Sequence, residues 1–158
     1  MSAPIATPSP EEIARRAAQV MWASDKASQA LGMEILSTGP GEAVLAMSIS
    51  PEMTNGHGTA HGGFIFALAD SAFAFACNSY GETTVAAHCS ISYIAPGKAG
   101  NRLVAAAREV SRSGRSGIYD VRVTSDGKTI AEFRGHSRTI GGSFIEPAAN
   151  APQSAIRS

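Results

Sequence analysis

Between Phe64 and Cys77 the chain reads FIFALADSAFAFAC, and the only polar side chains in that run are Asp70 and Ser71. A helix that is apolar on every side has to be enclosed by other structure or by lipid. The run is too short to cross a bilayer, which takes roughly 20 apolar residues, so it is expected to be the central helix of a folded core. That makes Asp70 the anomaly. An ionised carboxylate in an apolar interior carries a large desolvation cost unless it is paired, and this segment offers no basic residue. Carboxylates placed in this way are candidate acids or bases.

The 158 residues give room for one domain with a substantial core. Formal net charge is zero and charged residues make up 16 %, so no electrostatic footprint points to nucleic acid or an anionic membrane. Cys77 and Cys89 sit in apolar or alternating runs without metal-like spacing; buried, reduced thiols and no metal are expected. The start, MSAPIATPSP, has neither a basic opening nor a continuous apolar run, which reads as a short flexible arm and a cytoplasmic protein.

In chain order, Ser9, Pro10 and Glu12 mark a helix start with a capping box, and the helix is expected to run to about Leu31, with Gly32 as its stop. Ile13, Ala17, Val20, Met21, Ala27 and Leu31 recur near helical spacing, the pattern of an amphipathic cover helix. Strands are expected over 34–38 and 42–50, joined by Gly39-Pro40-Gly41. After the central helix, 83–94 alternates Cys89, Ile91 and Tyr93 against His88, Ser90 and Ser92 until Pro96-Gly97. Strands over 102–111, 117–124 and 129–140 follow, the last two joined by the hairpin signal Asp126-Gly127.

The order is helix, two strands, one apolar helix, then four strands in a meander. An α+β arrangement satisfies it: one antiparallel sheet of about six strands wrapped around the central helix, which resembles the hotdog fold. Residues 10–142 form this single domain, with 1–9 as arm and 143–158 as a loosely held tail. One sheet cannot cover a helix on all sides, and its edges are open, so at least a dimer is expected.

The run NGHGTAHGGFIFALADSAFAFACNSYG resembles the PaaI-type thioesterases of phenylacetate degradation. Similarity extends from about Leu31 to Gly142, through SISYIAPGKAG, SGIYDVRV and EFRGHSRTIGG. The resemblance implies hydrolysis of acyl-CoA thioesters, with phenylacetyl-CoA and ring-hydroxylated arylacetyl-CoA as substrates and no cofactor. It also implies a homodimer pairing into a homotetramer, with active sites at the dimer interface.

The family pattern falls on Asn55, His61, Gly62 and Asp70. Thioester hydrolysis needs a base for the attacking water or a nucleophile, and Asp70 is the candidate for either role. The developing oxyanion needs fixed donors, which Gly62 and Gly63 offer where the helix opens. Asn55 is expected to orient the water or the thioester oxygen. For His61 a backbone-capping role and direct catalysis stand equally, and Ser71 either meets substrate or bonds to its own turn. Some related hotdog thioesterases carry a supporting serine on the strand after the helix, where this chain has Val85-Ala86-Ala87.

Coenzyme A carries phosphates, so Lys98, Arg112, Arg115 and Arg138, all at expected strand ends or loops, are candidates for its basic rim. Phe66, Phe73 and Tyr80 are the expected lining of the acyl pocket. Two other readings use the same residues. A hotdog hydratase or dehydratase would combine His61 with Asp70, and a non-catalytic acyl-CoA-binding protein would use neither chemically.

Overall fold

The structure, a computed structural model, describes residues 6–145, so most of the expected arm and tail lies outside the described residues. The chain opens with α1 (Pro10–Ser24), where the Ser9 hydroxyl accepts from the Glu12 amide at 3.2 Å. Only this half of the expected capping box forms. The Glu12 carboxylate instead takes Arg16 at 2.7 Å, which lowers its pKa below the ordinary value.

The expected single helix to Leu31 is interrupted at Asp25. This residue leaves helical geometry, and its carboxylate accepts from the Ser28 amide at 3.0 Å, so it starts a second helix, α2 (Lys26–Ala30). A side chain that serves so well as an N-cap competes with continuation of the helix through it. Gly32 then turns the chain with φ +70°, as its position predicts.

The strands are β1 (Glu34–Gly39), β2 (Glu42–Ser48), β3 (Glu82–Tyr93), β4 (Arg102–Ser113), β5 (Ser116–Ser125) and β6 (Lys128–Ser143). A short 3-10 turn, Pro51–Met53, leads from β2 towards the central helix α3 (Gly62–Cys77). All six strands form one antiparallel sheet in the order β1-β2-β4-β5-β6-β3. The expected four-strand meander is therefore corrected: only β4, β5 and β6 are sequential neighbours. α3 crosses the sheet after β2 and delivers the chain to the far edge, so β3 pairs with β6 and leaves its other side open.

α3 packs against every strand. Its residues Ile65, Leu68, Ala72 and Phe73 meet the inward positions Leu45, Leu103, Val121 and Phe133, all buried. The helix end is fixed by Asn78, 3 % exposed, which donates to the Ala74 and Thr84 carbonyls at 2.9 Å each and accepts from the Thr84 amide at 2.8 Å. That one side chain sets where β3 begins relative to α3. At the end of β6, the Phe144 amide donates to the Gly81 carbonyl at 2.8 Å, so the first residues of the expected tail are docked.

The outer face of the sheet is polar, with cross-strand pairs such as Arg134–Asp120 and Arg122–Glu132, each at 2.7 Å. Such exposed pairs add little stability. The inner face is tight. A Cβ on Gly135 would lie 2.7 Å from the Phe73 ring, so Gly135→Ala is expected to destabilise the protein by about 1–3 kcal/mol through overpacking. Urea unfolding should show a lower midpoint with an unchanged slope.

Candidate active site

The amino end of α3 is built by the loop before it. The Asn55 Oδ1 accepts from the His57 and Thr59 amides at 2.9 and 3.3 Å, while its Nδ2 donates to Thr59 Oγ1 at 3.0 Å. This side chain holds its own turn. An amide nitrogen carries two hydrogens, so one Nδ2–H is left to donate elsewhere. The Ala60 amide then bonds the Gly97 carbonyl at 2.8 Å, and the His61 amide bonds the Met53 carbonyl at 2.7 Å.

His61 is the N-cap of α3, and its Nδ1 accepts from the Gly63 amide at 3.0 Å. An accepting Nδ1 carries no proton, so the neutral imidazole holds its hydrogen on Nε2. Two consequences follow for the expected oxyanion donors. The Gly63 N–H is already committed to His61, whereas Gly62, as the first helical residue, has no intrahelical acceptor for its N–H. The helix dipole favours negative charge at that point.

Beside this helix start lies a cleft of about 460 Å³ lined by Asn55, Thr59, Gly62, Ile65, Tyr93, Ile94 and Pro96. Tyr93 comes from the end of β3. Its hydroxyl donates to the Gly62 carbonyl at 2.8 Å, and its ring lies where a Cβ on residue 62 would be, 2.8 Å from Cζ. Glycine at 62 is thus required for this close approach.

Asp70 sits two helical turns further on. It is half-buried, and its recorded side-chain partner is the Cys89 thiol of β3, with Sγ 3.9 Å from Oδ1. Desolvation raises its pKa above the ordinary carboxylate value, opposed by the Cys89 hydrogen bond. Among the described residues no cation pairs with it; the anomaly read in the sequence is present in the fold. Ser71 does not line the cleft beside Gly62, and among the described residues its hydroxyl makes no bond to its own turn. Its hydroxyl lies 2.8 Å from that of buried Ser28, whose hydroxyl in turn donates to Asp25 at 2.7 Å, tying α3 to α2.

The other expected residues separate. Phe73 is 1 % exposed and packs against Tyr119 and Phe133, and Tyr80 donates to Glu109 at 2.8 Å at the opposite end of α3, so neither lines the cleft. Phe66 is half-buried against Phe133. Exposed Lys98 pairs through its backbone with Thr59, on the cleft side. The three arginines lie at the far end of the sheet. Arg112 stacks over Tyr80 at 3.5 Å and faces Glu109 at 3.7 Å, Arg115 donates to the Thr139 carbonyl at 3.0 Å, and exposed Arg138 stands opposite Val85.

Sequence reasoning passed over Cys89, Tyr93 and Thr59. The alternation along 83–94 was a usable signal for the first two, because it turns Cys89 and Tyr93 to the helix side. Nothing in the sequence announced Thr59 except its place in the loop.

A helix-wrapping six-stranded sheet with a polar helix entrance and an unpaired carboxylate is the architecture of a hotdog hydrolase. Residues 57–132 match the thioesterase superfamily. The chain is 43 % identical over 132 residues to the acyl-coenzyme A thioesterase PaaI of Escherichia coli (strain K12), covering 83 % of this chain and 94 % of that protein. The structure of the E. coli PaaI protein from the phenylacetic acid degradation operon superposes with a TM-score of 0.84 at 42 % identity, covering 85 % and 99 % of the two chains. A Streptococcus mutans UA159 protein bound to acetyl CoA superposes at 0.68 with 27 % identity, covering 70 % and 90 %. The chain therefore belongs to the thioesterase superfamily, and within it to the PaaI-type acyl-CoA thioesterases.

The two possible contributions of His61 can be separated. His61→Ala loses the cap on Gly63 and is expected to cost about 1 kcal/mol, whereas asparagine at this position keeps a cap. If the cap is its whole contribution, His61→Asn should match wild type in both chemical unfolding and kcat; a normal midpoint with reduced kcat would assign a further role to Nε2–H.

Proposed function

We propose that this thioesterase hydrolyses phenylacetyl-CoA and ring-hydroxylated arylacetyl-CoA to the free acid and coenzyme A, at a site shared between two protomers. The observation that carries the shared site is a distance. Gly62 and Asp70 are eight residues apart on one straight helix, about 12 Å along its axis. A thioester carbonyl within hydrogen-bond reach of the one cannot meet the other in the same chain.

The open edge of β3 supplies the geometry of a remedy. β3 runs antiparallel to α3, with Cys89 beside Asp70 and Tyr93 beside Gly62. Four strand residues span about 13 Å, which matches the helical separation. Two-fold antiparallel pairing of β3 with its copy, centred on Ile91, sets Tyr93 opposite the partner subunit's Cys89. The Gly62 level of one protomer then coincides with the level of the partner subunit's Asp70. The same register brings the partner's Arg138 to the level of Lys98, which supports a basic rim made from both chains.

In this arrangement the Gly62 amide polarises the thioester carbonyl, and the carboxylate across the interface takes a proton from the attacking water or attacks directly. Asn55 lines the cleft, where its spare Nδ2–H is available to hold the water or the carbonyl oxygen. Ile65, Tyr93, Ile94 and Pro96 offer the flat apolar walls that suit an aryl group. The similar E. coli protein belongs to a phenylacetic acid degradation operon, which favours the same acyl class.

Thiol release from a panel of acyl-CoA esters tests the substrate. Arylacetyl and hydroxyarylacetyl esters should give the highest kcat/KM; a profile dominated by long-chain acyl groups would contradict the proposal. The register has its own test. Ser90 and Ser92 lie on the exposed outer face and would meet crosswise, so a Ser90→Cys, Ser92→Cys double variant should oxidise to a covalent dimer.

Asp70→Asn is expected to lower kcat by roughly 10²–10⁴ with little change in KM. Its stability effect has a definite sign. A raised folded pKa means that the protonated carboxyl favours folding, and this advantage is lost as pH rises from the ordinary value, 3.8, through the folded value. Asp70→Asn should therefore raise Tm at neutral pH, with the gain shrinking towards zero in acid below that range.

A further inference from the structure

Resting on Asp70 as the group that handles the nucleophile, we propose that Cys89 is a positioning residue for it, a thiol hydrogen-bond donor that holds one carboxylate oxygen and leaves the other for the reaction. Sγ stands 3.9 Å from Oδ1, and no other side chain among the described residues is recorded as bonding to that carboxylate. Cys89 is held in place by the sheet. It pairs with Gly135 of β6, and the alternation of β3 turns it to the helix, half-buried at the margin of the core.

The chemistry of the thiol suits this work. Burial, and after it the nearby Asp70 carboxylate, push Cys89 up to about 11, so at neutral pH it is S–H, a donor, and a poor nucleophile. Cys77, on α3 two turns beyond Asp70, is pushed up to about 12 and also stays neutral. Neither thiol therefore adds charge next to the carboxylate. No charged side chain among the described residues stabilises the Asp70 carboxylate, so the thiol is the group that favours its ionised form.

The division of labour follows from the number of oxygens. Oδ1 is engaged by the thiol, which leaves Oδ2 to accept the water proton. A bond to the ionised form also keeps Asp70 in its basic state at lower pH than burial alone would allow.

The measurement is the pH dependence of kcat for wild type, Cys89→Ala, Cys89→Ser and Asp70→Asn in the full-length protein. Removing the donor from Cys89 should move the acid limb upward by about half a pH unit and so lower kcat on that limb by up to about threefold. Serine, which is close to cysteine in shape and keeps a hydrogen-bond donor, should bring the limb back towards wild type. KM and the alkaline plateau should change little, which a general packing defect would not produce. If Cys89→Ala and Cys89→Ser both overlay the wild-type profile, or both lose activity uniformly at every pH, the positioning role is wrong while Asp70 keeps its part. If Asp70→Asn itself retains wild-type kcat, the parent reading fails instead.

Discussion

The cost of placing a carboxylate on an otherwise apolar helix governs this structure. α3 must be covered on nearly all sides to bury its phenylalanines and alanines, and the sheet wraps it for that reason. Asp70 lies on the stripe that turns towards β3, the strand with an open edge. The core thus stays apolar where β2, β4 and β5 meet the helix, and its one acidic group sits at the margin where a second chain can reach it. Half-burial without a cation raises its pKa and leaves it a stronger base than an exposed aspartate.

The amino end of the same helix solves the opposite electrostatic problem. A loop braced by Asn55 and a histidine cap leave the first glycine amide without an intrahelical acceptor at the edge of a cleft, and Tyr93 closes over the glycine from the end of β3. β3 therefore touches both chemical features, Cys89 at the carboxylate and Tyr93 at the amide. Its start is set by Asn78 and its alternation does the rest. One strand fixes the spacing of the two halves of the proposed site.

Much of this was legible in the sequence because it rests on local rules. The apolar run, the glycines at 32 and 127, and the alternation of Cys89, Ile91 and Tyr93 gave the central helix, its sheet and the helix-facing side of β3. The strand order was not legible. Whether a strand after a crossing helix pairs with its successor or travels to the far edge depends on packing of the whole sheet, and 83–94 has the same alternation in either case. The first helix was expected to run unbroken to Leu31 because periodicity does not report competition between a cap at Asp25 and a continuing helix. Phe73 and Tyr80 were misplaced as pocket lining because aromatic residues of a core and of a pocket have the same composition; the ring of Phe73 instead fills the space above Gly135. The motif named the candidate residues but carried no information on which of their hydrogens were already in use, and this distinguishes Gly63 from Gly62.

The central claim is that the amide donor and the carboxylate of one site come from different chains, and subunit mixing tests it most directly. Asp70→Asn and Gly62→Ala chains, each expected to be inactive alone because the first removes the carboxylate and the second sets a Cβ 2.8 Å from the Tyr93 ring, are co-refolded in equal amounts and assayed for thiol release. A shared site leaves one intact centre in each mixed dimer, so random pairing should restore about one quarter of wild-type activity. Recovery at that level supports the shared site. A mixture as inactive as its two parents, with mixed dimers demonstrated by differential tagging, would contradict it.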